Sequence, residues 1–568
     1  MYPMLHLNWL RGLAGAIGVL VLAGCGSVPP SNQSASSALV VPSRSEVVSP
    51  EKLASAHAHF GSAFIHEMSD EPEAALQDYY QAVLQDPSDF GMVLDVARKF
   101  VQAKQPEKAL DVLSRAAVPP DATGADFLRM GVLYSQLGKT DKAIAANKTA
   151  IRKEPDSLAG YQNLFLNYVQ SKQPREALKV LDEASRRVKV DAEFLLGLAE
   201  LYLNYGSQIP AQKESARTKA LAALNRADKL NPSAPIMRVQ LAEAFNAAGE
   251  HSKAAQLYLD LLKNLPDVPQ LRQRVRARLT EIYLRDEDRK RATEQLEAIV
   301  HDDPTNPQAS YWLGSIALDA RNSAEAVDWF KKTIVLDPHF EQAYYDLALA
   351  QLNLNQPTNA LDTLDKARQN FPQGFVLEFF TGMAMSHAKD YTNAIKHYTA
   401  AEVIARATDA KRLNESFYFQ LGAACERSGD LVQAEKNFQK CLELAPDFAE
   451  ALNYLGYMWA EHEQNLPKAR ELIEKAVKLE PKNAAFLDSM GWVLYKQNQP
   501  KEALDYILQA VKLSDEPDAT VYDHLGDIYA ALKEPAKARE AWQKSVSLEN
   551  NEQVNKKLGA VKPNSKSE

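Results

Sequence analysis

The segment PQASYWLGSIALDARNSAEAVDWFKKTIVLDPHF, residues 307–340, contains the pattern that decides the fold. A small residue, Gly314, is followed after twelve residues by Ala326. The bulky Phe330 comes four residues after that alanine, so the two lie on one face of a helix. Pro338 comes twelve residues after the alanine, and proline stops a helix because it lacks an N–H donor. The segment therefore predicts two helices that approach closely at the glycine and the alanine.

The same pattern recurs along most of the 568-residue chain. An alanine marks each unit, and most intervals between successive alanines are 34 or 35 residues. Three intervals are longer, at 206–216, near Arg278 and at 405–412, which predicts insertions in loops or helix ends. The fourteen marker alanines are Ala75, Ala109, Ala143, Ala177, Ala220, Ala254, Ala292, Ala326, Ala360, Ala394, Ala434, Ala469, Ala503 and Ala538.

Taken together, these residues resemble the tetratricopeptide repeat (TPR) family, whose units are about 34 residues long. The resemblance implies an all-α fold, an α-solenoid that forms a right-handed superhelix of about fourteen helix–turn–helix repeats. We expect this solenoid to cover residues 56–550, with sub-arrays at 56–305 and 307–550.

The N-terminal residues 1–24 are expected to be a lipoprotein signal peptide. Arg11 precedes an apolar run that is too short to span a bilayer, which needs about 20 residues. The run ends in LAGC, which resembles a bacterial lipobox and implies that Cys25 is acylated. Because Gly26 follows the cysteine where inner-membrane lipoproteins tend to carry aspartate, the resemblance implies an anchor in the outer membrane, facing the periplasm.

The segments that flank the solenoid differ from it in composition. Residues 25–55 contain the acylated cysteine and a stretch rich in serine and proline, which predicts a flexible tether. Residues 551–568 contain Val554, Leu558 and Val561 at i, i+4 and i+7, which predicts a capping helix before a polar tail.

Composition and motifs argue against several classes of function. The net charge is −9 and the body has no basic stripe of the kind that nucleic-acid binding requires. The chain has no phosphate-binding loop, zinc-protease helix or nucleophile elbow. We therefore expect no enzymatic activity, no cofactor and no metal.

An aromatic ladder is the candidate partner-binding site. In TPR proteins the first helix of each unit lines the groove, and its positions 5 and 9 share one face when the small residue is position 8. Aromatic residues and Met are enriched at protein interfaces. Two interpretations stay open, a groove surface or a core between repeats. The ladder comprises Tyr311, Tyr345, Phe379, Met383, Phe419, Tyr457 and Trp492.

Two further cysteines, Cys425 and Cys441, fall in one unit at interior positions of its two helices. An oxidising periplasm would permit a disulfide between them. Two buried free thiols are the interpretation that we favour.

The C-terminal third carries a closer resemblance. Leu455-Gly456-Tyr457, the run DSMGWVLY at 488–495, HLGD at 524–527 and Trp542 occur in order. They resemble a family of Gram-negative outer-membrane TPR lipoproteins, one type of which is the adaptor of a periplasmic carboxyl-terminal processing protease. The resemblance implies a scaffold that brings this protease to protein substrates. The alternatives are a pilotin-like assembly factor for secretion, pilus or exopolysaccharide export, and a module that binds glycan or peptidoglycan.

Overall fold

The computed structural model describes residues 48–264, 268–514 and 516–560. Within these ranges it contains 29 α-helices and no strand. The expected signal peptide, Cys25 and Val561 lie outside the described residues.

The described residues form two compact units. The boundary between them lies between Gln295 and Leu296, inside the helix Arg289–Asp302. The N-terminal helices are α1 (Pro50–Met68), α2 (Pro72–Gln85), α3 (Phe90–Gln102), α4 (Pro106–Arg115), α5 (Gly124–Gln136), α6 (Thr140–Lys153), α7 (Leu158–Gln170), α8 (Pro174–Ser185), α9 (Ala192–Gln208), α10 (Lys213–Lys229), α11 (Pro235–Ala247), α12 (His251–Asn264), α13 (Pro269–Arg285) and α14 (Arg289–Asp302).

The C-terminal unit continues the series. Its helices are α15 (Pro307–Asp319), α16 (Ser323–Leu336), α17 (Glu341–Asn353), α18 (Pro357–Asn370), α19 (Phe375–His387), α20 (Tyr391–Thr408), α21 (Glu415–Ser428), α22 (Leu431–Leu444), α23 (Ala449–Glu461), α24 (Leu466–Leu479), α25 (Ala484–Lys496), α26 (Pro500–Leu513), α27 (Ala519–Ala531), α28 (Pro535–Leu548) and α29 (Glu552–Ala560).

The helices follow one another as pairs, from α1 and α2 to α27 and α28, with α29 as a single terminal helix. Each pair is one sequence repeat, and its second helix carries the marker alanine near its start. The all-α repeat fold predicted from the sequence is confirmed.

Close contact between the two helices of a pair explains the small residues. All fourteen marker alanines are buried. A Cβ atom on Gly314 would lie 2.7 Å from the ring of Phe330, and a Cβ on Gly526 would lie 2.4 Å from the indole of Trp542. Both distances are shorter than van der Waals contact, so the aromatic ring occupies the space that a side chain would need.

The turns within the pairs share a backbone feature that the sequence pattern did not indicate. Asp70, Lys104 and Arg321 adopt positive φ angles of 58°, 57° and 63° between the first and second helices of their pairs. A left-handed conformation costs about 1–2 kcal/mol for a residue with a side chain. The packing of the helices on both sides of the turn holds the residue in this conformation.

The three long intervals of the sequence lengthen helices. Helices α9 and α10 have 17 residues each and are joined by a 3₁₀ turn at Pro210–Gln212. Helix α13 also has 17 residues, and α20 has 18 residues and leads into a second 3₁₀ turn.

The two ends of the described body are capped. Helix α1 begins at Pro50, where Ser49 accepts a hydrogen bond from the backbone N–H of Lys52. The boundary expected at residue 55 therefore falls inside a helix. At the other end the side chain of Asn551 accepts a hydrogen bond from the backbone N–H of Gln553 at 2.9 Å. Val554 packs against the last helix pair, as expected of a capping helix.

We predict that Gly526→Ala destabilises the C-terminal unit, because the added methyl group would overlap the Trp542 indole. The free energy of unfolding should fall by about 1–3 kcal/mol, the usual cost of overpacking. Urea titration followed by far-UV circular dichroism measures it.

Gly61→Ala in α1 is the matched control, because nothing lies within 4 Å of a Cβ at that site. It should raise stability slightly, since alanine favours a helix over glycine by about 0.5–1 kcal/mol. Equal effects of the two substitutions would contradict the packing argument.

Candidate functional site

Three neighbouring first helices, α23, α25 and α27, carry polar and aromatic side chains at equivalent positions. In each helix a polar residue is followed four residues later by a second residue on the same helix face. The equivalent positions recur at intervals of 35 residues. We call this surface the acidic–aromatic face, which comprises the pairs Asn453 and Tyr457, Asp488 and Trp492, and Asp523 and Asp527, together with Glu461 and His524.

A buried ion pair lies at the centre of this face. The Nδ1 atom of His524 lies 2.9 Å from Oδ1 and 3.1 Å from Oδ2 of Asp488. Its ring stacks on the indole of Trp492 with centroids 3.9 Å apart. Burial alone would lower the pKa of His524, but the charge and hydrogen bond of Asp488 outweigh it and raise that pKa. The pair therefore favours the protonated imidazole.

The Trp492 indole links this pair to the exposed edge of the face. Its Nε1–H donates to Oε2 of Glu461 over 2.7 Å, and its ring stacks on Tyr495. The Nζ atom of Lys496 lies 5.0 Å from the indole centroid and 3.1 Å from Oε1 of Glu463. The indole is thus fixed on both sides, while the carboxylate of Glu461 stays exposed.

Helix α29 contributes a lysine to the same surface. The Nζ atom of Lys557 donates to Oδ1 of Asp523 at 2.8 Å and to Oδ2 of Asp527 at 2.7 Å. Asp527 also accepts from the Nε1–H of Trp542 at 3.1 Å. Burial is the largest cause of the raised pKa of Asp527, and the ammonium group only partly opposes it.

The balance of charge is negative. The face contains four carboxylates, those of Glu461, Asp488, Asp523 and Asp527. The cationic groups that contact these carboxylates are one lysine, Lys557, and one protonatable histidine, His524. Among the described residues no group of three or more His, Cys, Asp or Glu side chains could hold a metal ion. The arrangement can therefore accept hydrogen bonds and bind positive charge.

The predicted aromatic ladder does not form an exposed surface. Tyr345, Phe379, Met383, Phe419 and Trp492 are buried, each at most 7% exposed. Of the predicted residues only Tyr311 and Tyr457 are partly exposed. The interpretation of the ladder as a groove surface is therefore wrong for the five buried residues, which belong to the core between repeats.

The packing of these rings gives the reason for their burial. Tyr345 stacks on Phe380 at 5.8 Å and 11°. Phe379 contacts both Phe375 and Phe417, the latter in the next repeat. Position 5 of a first helix thus faces the neighbouring first helix, where an aromatic ring fills the space between two repeats.

Tyr311 makes a polar contact of its own. Its hydroxyl donates to Oδ2 of Asp346 over 2.8 Å, and Gln342 donates to the other carboxylate oxygen at 3.0 Å. Burial raises the pKa of Asp346 to about 6, despite these two hydrogen bonds.

The two cysteines of the described residues are free and buried. Burial raises the pKa of Cys425 to about 11 and that of Cys441 to about 12. A thiol with so high a pKa is a poor nucleophile at neutral pH. The interpretation as free thiols agrees with the structure, which has no disulfide between them.

The sequence alone does not place Asn453, Asp488, Asp523, His524 or Asp527 in one site. Three of these residues stood in the motifs that carried the closer resemblance, but nothing marked them as neighbours. The available signal was the appearance of polar residues at position 5 in the last three units, where the four preceding units carry tyrosine or phenylalanine.

Comparisons with protein-family models support the repeat assignment. Models described as "Tetratricopeptide repeat" match residues 127–157, 215–269, 281–339, 342–374, 416–448 and 489–548. These ranges lie in both units and fall on the helix pairs described above, so over them the chain is similar to tetratricopeptide repeats.

Among curated proteins, the chain is similar to a human protein O-mannosyl-transferase, TMTC3, with 25% identity over 382 residues. It is also similar to the peroxisomal targeting signal receptor of Saccharomyces cerevisiae, with 21% identity over 230 residues. The aligned regions cover 62% and 40% of this chain but only 39% and 36% of those relatives.

Solved structures that are similar include the Cut9–Hcn1 hetero-tetramer of the APC/C, at 16% identity and a TM-score of 0.41, covering 88% of this chain and 98% of that one. Yeast Tom70 is similar at 16% identity and a TM-score of 0.31, covering 83% and 95%. Within the described part of the chain, no helix has both the length and the apolar character needed to cross a membrane.

We predict that Asp346→Asn stabilises the protein at pH 7. Folding raises the pKa of this carboxyl, so the stability it contributes is present below about pH 4 and is lost as the pH rises through about 6. The variant should be more stable at pH 7 by about 1–3 kcal/mol. The difference should shrink towards pH 4, as measured by urea titration at each pH.

Asp505→Asn serves as the control, because Asp505 is exposed on α26. Its unfolding free energy should follow the unmodified protein at every pH. A pH-independent difference for Asp346→Asn would show that the carboxyl is not desolvated.

Proposed function

We propose that this chain is a lipid-anchored scaffold on the periplasmic side of the outer membrane, which brings an envelope protease or hydrolase together with a protein substrate. The observation that carries the proposal is the series of helix pairs within each unit, because stacked repeats present an extended surface for contact with proteins. Tetratricopeptide repeats indicate a protein-interaction scaffold, and the family matches support that general role.

The anchor rests on the sequence of the N-terminal segment. The apolar run and the LAGC motif that ends at Cys25 favour acylation of this cysteine. One acyl chain holds a protein only marginally and two hold it firmly, so a fully acylated cysteine would confine the scaffold to the membrane surface. Confinement raises the local concentration of the bound partner and strengthens weak contacts without new ones.

The role in proteolysis rests on the closer resemblance of the C-terminal third. The run 488–495 and the segment 524–527 that carry this resemblance also form much of the acidic–aromatic face. This coincidence favours a binding role for the region. The face presents carboxylates that accept hydrogen bonds, which supports a role in binding.

We predict that Cys25→Ala abolishes lipidation. Growth of a Gram-negative host with a clickable palmitate analogue should label the full-length chain and place it in the outer-membrane fraction. The variant should carry no label and should leave that fraction. Gly26→Asp is the second variant, and it should keep the label but shift the protein to the inner membrane. Labelling that survives in Cys25→Ala would contradict the anchor.

We further predict that the partner is a carboxyl-terminal processing protease. Photo-crosslinking of the full-length chain in cells, followed by mass spectrometry, should recover the protease and at least one of its substrates. Recovery of secretin or export components instead would favour an assembly factor. Retention on peptidoglycan sacculi without a crosslinked protein would favour a glycan-binding module.

A further inference from the structure

One residue of the acidic–aromatic face has an unpaired acceptor. Asn453 is 7% exposed, and its Oδ1 atom is buried with no hydrogen-bond donor. A buried acceptor without a partner costs about 1–3 kcal/mol, so a donor that reached it would stabilise the complex. The terminal torsion of asparagine is broad, which lets this oxygen turn towards an incoming group. It occupies the position that Asp488 and Asp523 occupy in the next two repeats.

Lys557 shows what the carboxylate end of the face accepts. A primary ammonium group on α29 bridges Asp523 and Asp527 at 2.8 and 2.7 Å. Its side chain is 31% exposed, and the two carboxylates are 23% and 13% exposed. The chain thus places a lysine of its own at the terminal repeat. Glu461 on α23 differs, because within the described residues it forms no salt bridge and accepts a hydrogen bond only from the Trp492 indole.

We propose that the acidic–aromatic face binds a basic, extended segment of a protein partner, with a lysine or arginine side chain at Glu461 and a backbone or side-chain donor at Asn453. The carboxylates match the charge of such a segment, and the half-buried Tyr457 offers an aromatic surface for its aliphatic stem. The inference rests on the scaffold role proposed above, but it does not depend on the lipid anchor or on the identity of the partner.

Lys557 acts in this proposal as an internal competitor. When a partner lysine approaches Asp523 and Asp527, it meets two carboxylates whose charge is already partly offset by one ammonium group. Removal of the Lys557 ammonium group should therefore tighten binding, whereas removal of face carboxylates should weaken it. A merely structural role of the face predicts no such opposite effects.

The test uses the purified full-length chain in detergent and a fluorescein-labelled peptide of about nine residues in which lysine alternates with alanine. Fluorescence anisotropy measures the dissociation constant. The double variant Glu461→Gln with Asp523→Asn keeps one acceptor oxygen at each position and removes two negative charges. It should weaken binding about tenfold or more. Lys557→Gln should tighten binding about threefold or more.

The matched control is Glu471→Gln with Asp505→Asn, which removes two exposed carboxylates from α24 and α26 and leaves the face intact. Its dissociation constant should stay within about twofold of that of the unmodified chain. This result would show that the loss of net charge alone does not explain the weaker binding of the face variant. A peptide with glutamate in place of lysine should not bind. Far-UV circular dichroism shows whether each variant keeps its helices.

Three results would overturn the proposal. The first is that the lysine peptide binds no better than the glutamate peptide. The second is that the control variant weakens binding as much as the face variant. The third is that Lys557→Gln weakens binding while the helicity of the protein is unchanged. Each is independent of the palmitate experiment, so failure of the anchor and failure of this surface can be told apart.

Discussion

The structure depends on one repeated contact, in which a small residue of a first helix meets a bulky side chain of the second helix. Gly314 faces Phe330, Gly382 faces Tyr398, Gly422 faces Phe438 and Gly526 faces Trp542. Each contact fixes the distance between the two helices of a pair, and stacking the pairs buries the remaining apolar surface. The fold is therefore a sum of local contacts, and its length follows from the number of repeats.

This contact also decides what the rest of each first helix can do. With position 8 held against the second helix, position 5 turns towards the next repeat, and in most of the C-terminal unit an aromatic ring fills that space. In the last repeats the same position carries Asn453, Asp488 and Asp523. Polar groups then occupy a place where other repeats pack aromatic rings. Asp488 pairs there with His524, whereas Oδ1 of Asn453 has no partner. A polar core of this kind leaves an excess of carboxylate at its edge.

The general role of a protein-interaction scaffold follows from the repeats, whereas the binding specificity that we propose rests on departures from the repeat. The acidic–aromatic face is such a departure, and so is Lys557, which comes from the single helix after the last pair. The similarity to longer curated proteins covers less than half of those chains, so it does not carry their activities to this one.

The sequence by itself determined the helix pairs, the register of the marker alanines and the capping helix after the last pair, because these depend on residues a fixed number of positions apart. It did not determine which aromatic rings are buried, since a helix face can point to a groove or to a neighbouring repeat with the same periodicity. It also did not reveal the left-handed turns at residues such as Arg321. Only the tertiary structure brought Asp488 to His524 and Lys557 to Asp523, because 30 or more residues separate each pair and the stacking of repeats sets their distance.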